Sequence, residues 1–162
     1  MGILTPEMQR LVRDQRLGYV ATVAPDGSPN VSPKGSLTVI DDDNLVFADV
    51  ESPHTLQTLA KNPRTEVNVV DPFSRKGFRF RGVAEILRAG VTFWKVLELY
   101  RAEGSDVRRI RSVVVVLVKE ALPLISPIYA THIEESTVRA IWEEYHAKRK
   151  LLVTDLIPPR DF

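Results

Sequence analysis

Cysteine is missing from all 162 residues. With it go disulfide staples, thiolate nucleophiles and thiolate-bound metals, and the absence suits a reducing compartment. Histidine is scarce. His54, His132 and His146 lie far apart, a spacing unlike any compact zinc motif, so no metal site is expected. Long apolar runs are lacking too: the longest, VVVVLV at 113–118, falls well short of the roughly 20 residues that cross a bilayer. The N-terminal MGILTPEMQRLV has no cationic stretch leading into an apolar one, and Pro6 stands where a myristoylation motif wants Ser or Thr. The expectation is a cytoplasmic protein with no membrane partner. Neither sign of charge dominates, with 22 Lys and Arg against 21 Asp and Glu, so the broad basic field that drives nucleic-acid binding is absent and no nucleic-acid partner is expected. No GxGxxG, GxxxxGK[ST] or GxSxG motif occurs, and no nucleophile stands beside an evident base.

What is present is a chain 44% hydrophobic, enough to bury the core of one domain. TPEMQRLVRDQ carries a helix-start signature, with Thr5 as cap, Pro6 in the first helical position and Glu7 in the first turn. LGYVATVAPDGSPNVSP predicts two strands around Pro-Asp-Gly, and LTVIDDDNLVFAD predicts two more around Asp41, Asp42, Asp43 and Asn44. Three consecutive aspartates suit a tight turn better than a metal. A short helix from SPHTLQTLAKNP precedes TEVNVVD and FRFRGVAEIL, and in the latter Phe78 and Phe80 alternate with Arg79 and Arg81. The arginines are expected to pair with Glu66 or Glu85. VTFWKVLELYRAE predicts a helix over 91–103, with Phe93, Val96, Leu97 and Tyr100 on one face. SVVVVLVKE lacks alternation and so reads as a strand buried on both faces. A last helix over about 134–148 places Val138, Ile141, Trp142 and Tyr145 on one face, and LLVTDLIPPRDF has no clear assignment. Six or so strands in hairpin order with short helices predict an α+β fold built on an antiparallel barrel. Residues 1–130 would form the barrel domain, with 131–162 a helix and tail packed on it.

Two stretches hold the candidate site. In VSPKGSL, residues 31–37, Pro33 and Gly35 interrupt a strand, as happens at a bent edge where backbone can face a ligand. In ESPHTLQ, residues 51–57, Ser52 caps a helix and Pro53 takes its first position, leaving the N–H groups of His54 and Thr55 pointing outward. Should Lys34 lie alongside, an ammonium, an imidazole, two hydroxyls and helix amides converge in a set suited to phosphate. Arg75 and Lys76, in DPFSRKG, could add charge. Ser-Pro is also ordinary capping grammar, and a lysine beside a turn is ordinarily solvated. Binding groups without an evident reactive pair point to a borrowed cofactor, for which a protein need supply only position and electrostatics.

The order ATVAPDGSPNVSPKGSLTVIDDDNLVFADVESPHTLQTLAKNPRTEVNVVD, then FRFRGVAEIL, resembles the pyridoxamine 5'-phosphate oxidase-like family of FMN-binding split barrels over about residues 5–130. The resemblance implies a six-stranded split barrel and a homodimer holding FMN at the subunit interface. It also implies flavin-dependent oxidoreductase activity on a small-molecule substrate or electron donor. Carried over by position, the backbone of Val31, Ser32 and Pro33 would lie against the flavin ring. Lys34, Ser52, His54 and Thr55 would hold the phosphate, with Arg75 and Lys76 as further cations and Asp49 as a further cofactor-binding residue. Pro53 and His54 replace the family's Arg and Lys, Pro29 replaces another phosphate-binding Arg, and no segment matches the oxidases' C-terminal substrate-binding residues. Pyridoxamine phosphate oxidation itself is therefore not expected. A non-catalytic flavin- or nucleotide-binding module, or a deazaflavin- or haem-using relative, is the alternative.

Overall fold

A computed structural model of the chain describes residues 2–50 and 53–156, with residues 150–156 by backbone alone. Its elements are α1 (Pro6–Gln15), β1 (Gly18–Val23), β2 (Pro29–Lys34), β3 (Thr38–Val39), β4 (Asn44–Asp49), α2 (Pro53–Lys61), β5 (Arg64–Asp71), β6 (Lys76–Leu87), α3 (Val91–Ala102), β7 (Ser112–Ile125) and α4 (Glu135–Leu156). They divide into two compact units: residues 1–70 with 77–124, and residues 71–76 with 125–162.

The first unit is an α+β split barrel. Its strands run in the order β2-β1-β5-β6-β7-β4-β3, seven where six are expected from sequence. The shortest, β3, keeps only two residues of the LTVI stretch, with Thr38 opposite Val46 and Val39 opposite Leu45. The hairpin turns form as their residues dictate. Gly27 supplies a positive φ of 85° and Asp26 accepts from the Ser28 amide at 3.0 Å, while Asp41 accepts from the Asp43 amide at 2.9 Å. Helix α1 is capped by Thr5, whose hydroxyl accepts from the Met8 amide, and it stops where Arg16 turns left-handed.

Alternation in the strands sorts two apolar layers. Leu45, Phe47, Val67, Phe80, Val114 and Val116 face the inside of the curl and are fully buried, each such side chain contributing about 1.5–3 kcal/mol. On the outer face, α3 lays Phe93, Val96, Leu97 and Tyr100 over Val46, Ala48 and Val113. β4 and the first half of β7 are thus covered on both sides, which is why VVVV does not alternate. The arginine face of β6 pairs as expected with Glu66, through Arg79 at 3.0 Å and Arg81 at 2.9 Å. Arg81 also meets Glu120 at 2.9 Å rather than Glu85.

The outer face of β1 and β2 is apolar and open among the described residues. Tyr19 stands opposite Pro33, Ala21 opposite Val31 and Val23 opposite Pro29, with Tyr19 50% and Val31 62% exposed. Single exposed apolar residues are ordinary, whereas a contiguous set on one sheet face is not.

The second unit joins the turn of the β5–β6 hairpin to the C-terminal chain. Arg139 meets the buried Asp71 at 2.7 Å, and Glu135 bonds both Arg139 and Lys76 at 2.9 Å. The Tyr129 hydroxyl donates to the Ser74 carbonyl at 2.6 Å. Helix α4 runs beyond the expected 134–148 into LLVTDL, while PPRDF lies outside the described residues. Of its expected apolar face only Val138 is fully buried; Ile141 and Tyr145 are nearly half exposed. Trp142 and Tyr145 pack edge-to-face with one another, and His146 packs on Phe73.

Candidate functional site

Lys34 ends β2 opposite Gly18, and its side chain turns into the barrel. It is only 5% exposed. The ammonium donates to Ser32 Oγ at 2.8 Å and lies 5.7 Å from the centre of the Phe47 ring. Burial pushes the pKa of this ammonium down, and the charge of Asp49 pulls it back up. Asp49, equally buried, ends β4 opposite Ser112. Its carboxylate accepts from the Ser112 hydroxyl at 3.3 Å, and its carbonyl accepts from the Arg111 amide at 3.2 Å. A cation, an anion and two hydroxyls therefore share the barrel mouth, each stabilised by the others because water is largely excluded.

Beside this group opens a cleft of about 440 Å³ lined by Asp49, Val50, Pro53, Leu56, Arg88, Arg111 and Ser112. Pro53 is the first residue of α2, so the helix start expected to face an anion borders the cleft. Thr55, the third residue of α2, is buried and His54 is exposed; Ser52 lies outside the described residues. Strand alternation divides the VSPK stretch between two surfaces. Ser32 and Lys34 face inward, while Val31 and Pro33 are exposed on the outer face. Arg75 and Lys76 belong to the second unit, where both are engaged. Arg75 adopts a left-handed φ of 59° with its guanidinium 4.2 Å from the Trp142 ring centre. Lys76 pairs with Glu135 and lies 4.3 Å from the Tyr129 ring centre.

Two cleft residues were not picked out from sequence. Arg88 follows the last residue of β6, and Arg111 precedes the first of β7. The one available signal is a basic residue at the mouth end of each of two neighbouring strands, which becomes legible only once the strand ends are known to adjoin. No group of three or more His, Cys, Asp or Glu among the described residues could hold a metal ion. No helix among them is long and apolar enough to cross a membrane.

The fold and cleft define a small split-barrel protein with charged residues at the barrel mouth. The chain matches the pyridoxamine 5'-phosphate oxidase family over residues 4–122 and belongs to it. Among solved structures it is similar to HupZ of Group A Streptococcus, at 29% identity and TM-score 0.68, with 75% of this chain and 94% of that one covered. An FMN-binding protein from Syntrophomonas wolfei matches at 17% identity and TM-score 0.63, covering 74% and 85%. An F420 reductase matches at 22% identity and TM-score 0.57, covering 73% and 98%. The two lower-identity neighbours share the fold. No curated protein matches the chain.

Proposed function

We propose that this protein binds FMN at the interface of a homodimer and acts as a cytoplasmic flavin-dependent oxidoreductase on a small molecule. The observation that carries this reading is the family match over residues 4–122 together with a charged cleft bordered by the start of α2. The donor set suits a flavin phosphate: an ammonium at Lys34, hydroxyls at Ser32, Ser112 and Thr55, and the first turn of α2 with His54. Among the described residues β2 is an edge strand paired with β1 alone, which leaves one row of its backbone groups to meet a planar ring along Val31, Ser32 and Pro33. The apolar outer face of Tyr19, Val23 and Val31 favours a second copy of the chain as partner.

Bound flavin would supply the electron or hydride transfer, which the side chains here do not provide. The chain would contribute position and electrostatics. Lys34 and Asp49 hold opposite charges in a dry mouth, where the field they impose is stronger than in water. Val31 and Pro33 present an exposed apolar surface that a bound partner would cover. The purified protein should quench FMN fluorescence saturably at micromolar concentration; an absence of quenching would overturn the reading. The similarity to an F420 reductase favours a deazaflavin as the second reading, and competition between FMN and F420 separates the two.

A further inference from the structure

We infer that Arg88 and Arg111 form a phosphomonoester receptor in the cleft at the barrel mouth, replacing cations that α2 does not provide. The inference rests on the flavin reading for the identity of the ligand and on the structure for the site. The first turn of α2 carries Pro53 and His54 and contains no Lys or Arg. The other basic group of the mouth, Lys34, is committed inward: it is 5% exposed, bonded to Ser32 and balanced by the charge of Asp49. Its charge and that of Asp49 offset each other locally. A phosphate arriving at the start of α2 would otherwise meet helix amides, hydroxyls and a Lys34 charge already offset by that of Asp49.

Arg88 and Arg111 supply surplus positive charge. Both are exposed residues lining the same cleft as Pro53 and Ser112. Among the described residues neither guanidinium has an ion pair or hydrogen bond to a side chain, whereas Arg16, Arg79, Arg81, Arg101, Arg108 and Arg139 all do. Arg111 is pinned at its backbone by the bond from its amide to the Asp49 carbonyl, so its side chain starts from a fixed point on the rim. Two planar forks, one just after β6 and one just before β7, match the several oxygens of a phosphate better than two ammonium groups would. A phosphomonoester carries about 1.5–2 negative charges near neutrality, which two guanidiniums offset. Val50, Pro53 and Leu56 give the cleft an apolar wall beside the cations, as an ester with an organic body requires.

The test uses the full chain with inorganic phosphate as probe, followed by 31P line broadening, and the Arg88→Gln/Arg111→Gln pair of substitutions. Saturable broadening that weakens at least tenfold in the double variant, with unchanged circular dichroism, supports the site. Absent broadening, or broadening equal in the variant, overturns it. FMN and riboflavin titrations form the second arm. Competition of FMN with phosphate, and FMN affinity falling to that of riboflavin in the variant, assign the receptor to the flavin phosphate. Arginine-dependent phosphate binding without any flavin binding keeps the receptor and removes the flavin reading. Equal FMN and riboflavin affinities in the unsubstituted protein keep the flavin and remove the receptor. Should the double variant misfold, Arg88→Lys and Arg111→Lys singly test the fork geometry: each should weaken FMN severalfold and leave riboflavin unchanged, and unchanged FMN affinity in both counts against the receptor.

Discussion

The ammonium of Lys34 stands 2.8 Å from the Ser32 hydroxyl, two residues back on the same inward face of β2. Its burial lowers the lysine pKa, against the opposing pull of Asp49. A lowered folded-state value means that the unfolded chain holds this proton more tightly. The contribution of Lys34 to stability therefore rises as pH climbs from the lowered value toward the ordinary lysine value of about 10.4, and is lost as pH falls through that window. In Lys34→Met that dependence vanishes, so the unsubstituted protein should gain stability relative to the variant as pH rises toward about 10. Urea unfolding from about pH 7 to about pH 10 checks this. A difference between the two proteins that stays flat with pH would show an ammonium that is well solvated.

Val31, 62% exposed between Pro29 and Pro33 on the outer face of β2, tests the proposed dimer. A carboxylate at this position places charge in the middle of the apolar face without touching the inward core. Val31→Glu should convert a dimer to a monomer in sedimentation at equal concentration, with unchanged circular dichroism. A monomeric unsubstituted protein at micromolar concentration would leave the β1–β2 face without its proposed occupant.

The acid side of stability is set in part within the second unit. Asp71 is 6% exposed and meets Arg139 at 2.7 Å. Burial works to raise its pKa, but hydrogen bonds from Phe73 and Ser74 and the charge of Arg139 outweigh it and leave the value lowered. A lowered carboxylate contributes stability that is complete above its unfolded value, about 3.9, and is lost as pH falls through the folded one. Arg139→Ala should cost about 1–2 kcal/mol at neutral pH, since Arg139 is partly solvated and its loss leaves a buried carboxylate short of a donor. The deficit should shrink as pH drops below about 4. Denaturation midpoints that stay equally far apart at all pH values would contradict this.

Local pattern made most of the fold legible. FRFR announced its two faces, TPE its helix start, and VVVV its burial on both sides, because each depends on residues within one element. LTVI announced β3 in the same way, although only Thr38 and Val39 of it enter the ladder. The apolar face expected on α4 was misjudged: Ile141, Trp142 and Tyr145 have helical spacing, but the aromatic rings find their neighbours in one another and in His146. At the site, Lys34 and the start of α2 stood out because proline and a hydroxyl residue mark them in sequence. Arg88 and Arg111 carry no such mark. They share a cleft only because β6 ends where β7 begins and Ser112 pairs with Asp49, a relation of sheet order that no local window contains.

Tyr100 offers a test of the outer layer that is independent of any ligand. It is 1% exposed on the sheet-facing side of α3, and its hydroxyl donates to the Ser36 carbonyl at 2.8 Å. Ser36 in turn accepts from the Ala48 amide at 2.9 Å, so the phenol ties α3 to the loop between β2 and β3 and, through it, to β4. Burial pushes the phenol pKa far above the ordinary value of about 10, with the Ser36 bond pulling weakly the other way. For an acid raised on folding, the contribution to stability is complete below the unfolded value and is lost as pH rises past it, because only the unfolded chain can ionise there. Tyr100→Phe should therefore cost about 0.5–1.5 kcal/mol near neutrality, through the lost bond and an unpaired carbonyl. Above about pH 10 the gap should close, as the unsubstituted protein loses stability that the variant does not. In an alkaline spectrophotometric titration, one of the four tyrosines should ionise only as the protein unfolds, and that step should be absent from Tyr100→Phe. Ionisation of all four before unfolding would mean that the phenol is reached by water and that the seal between α3 and the sheet is open.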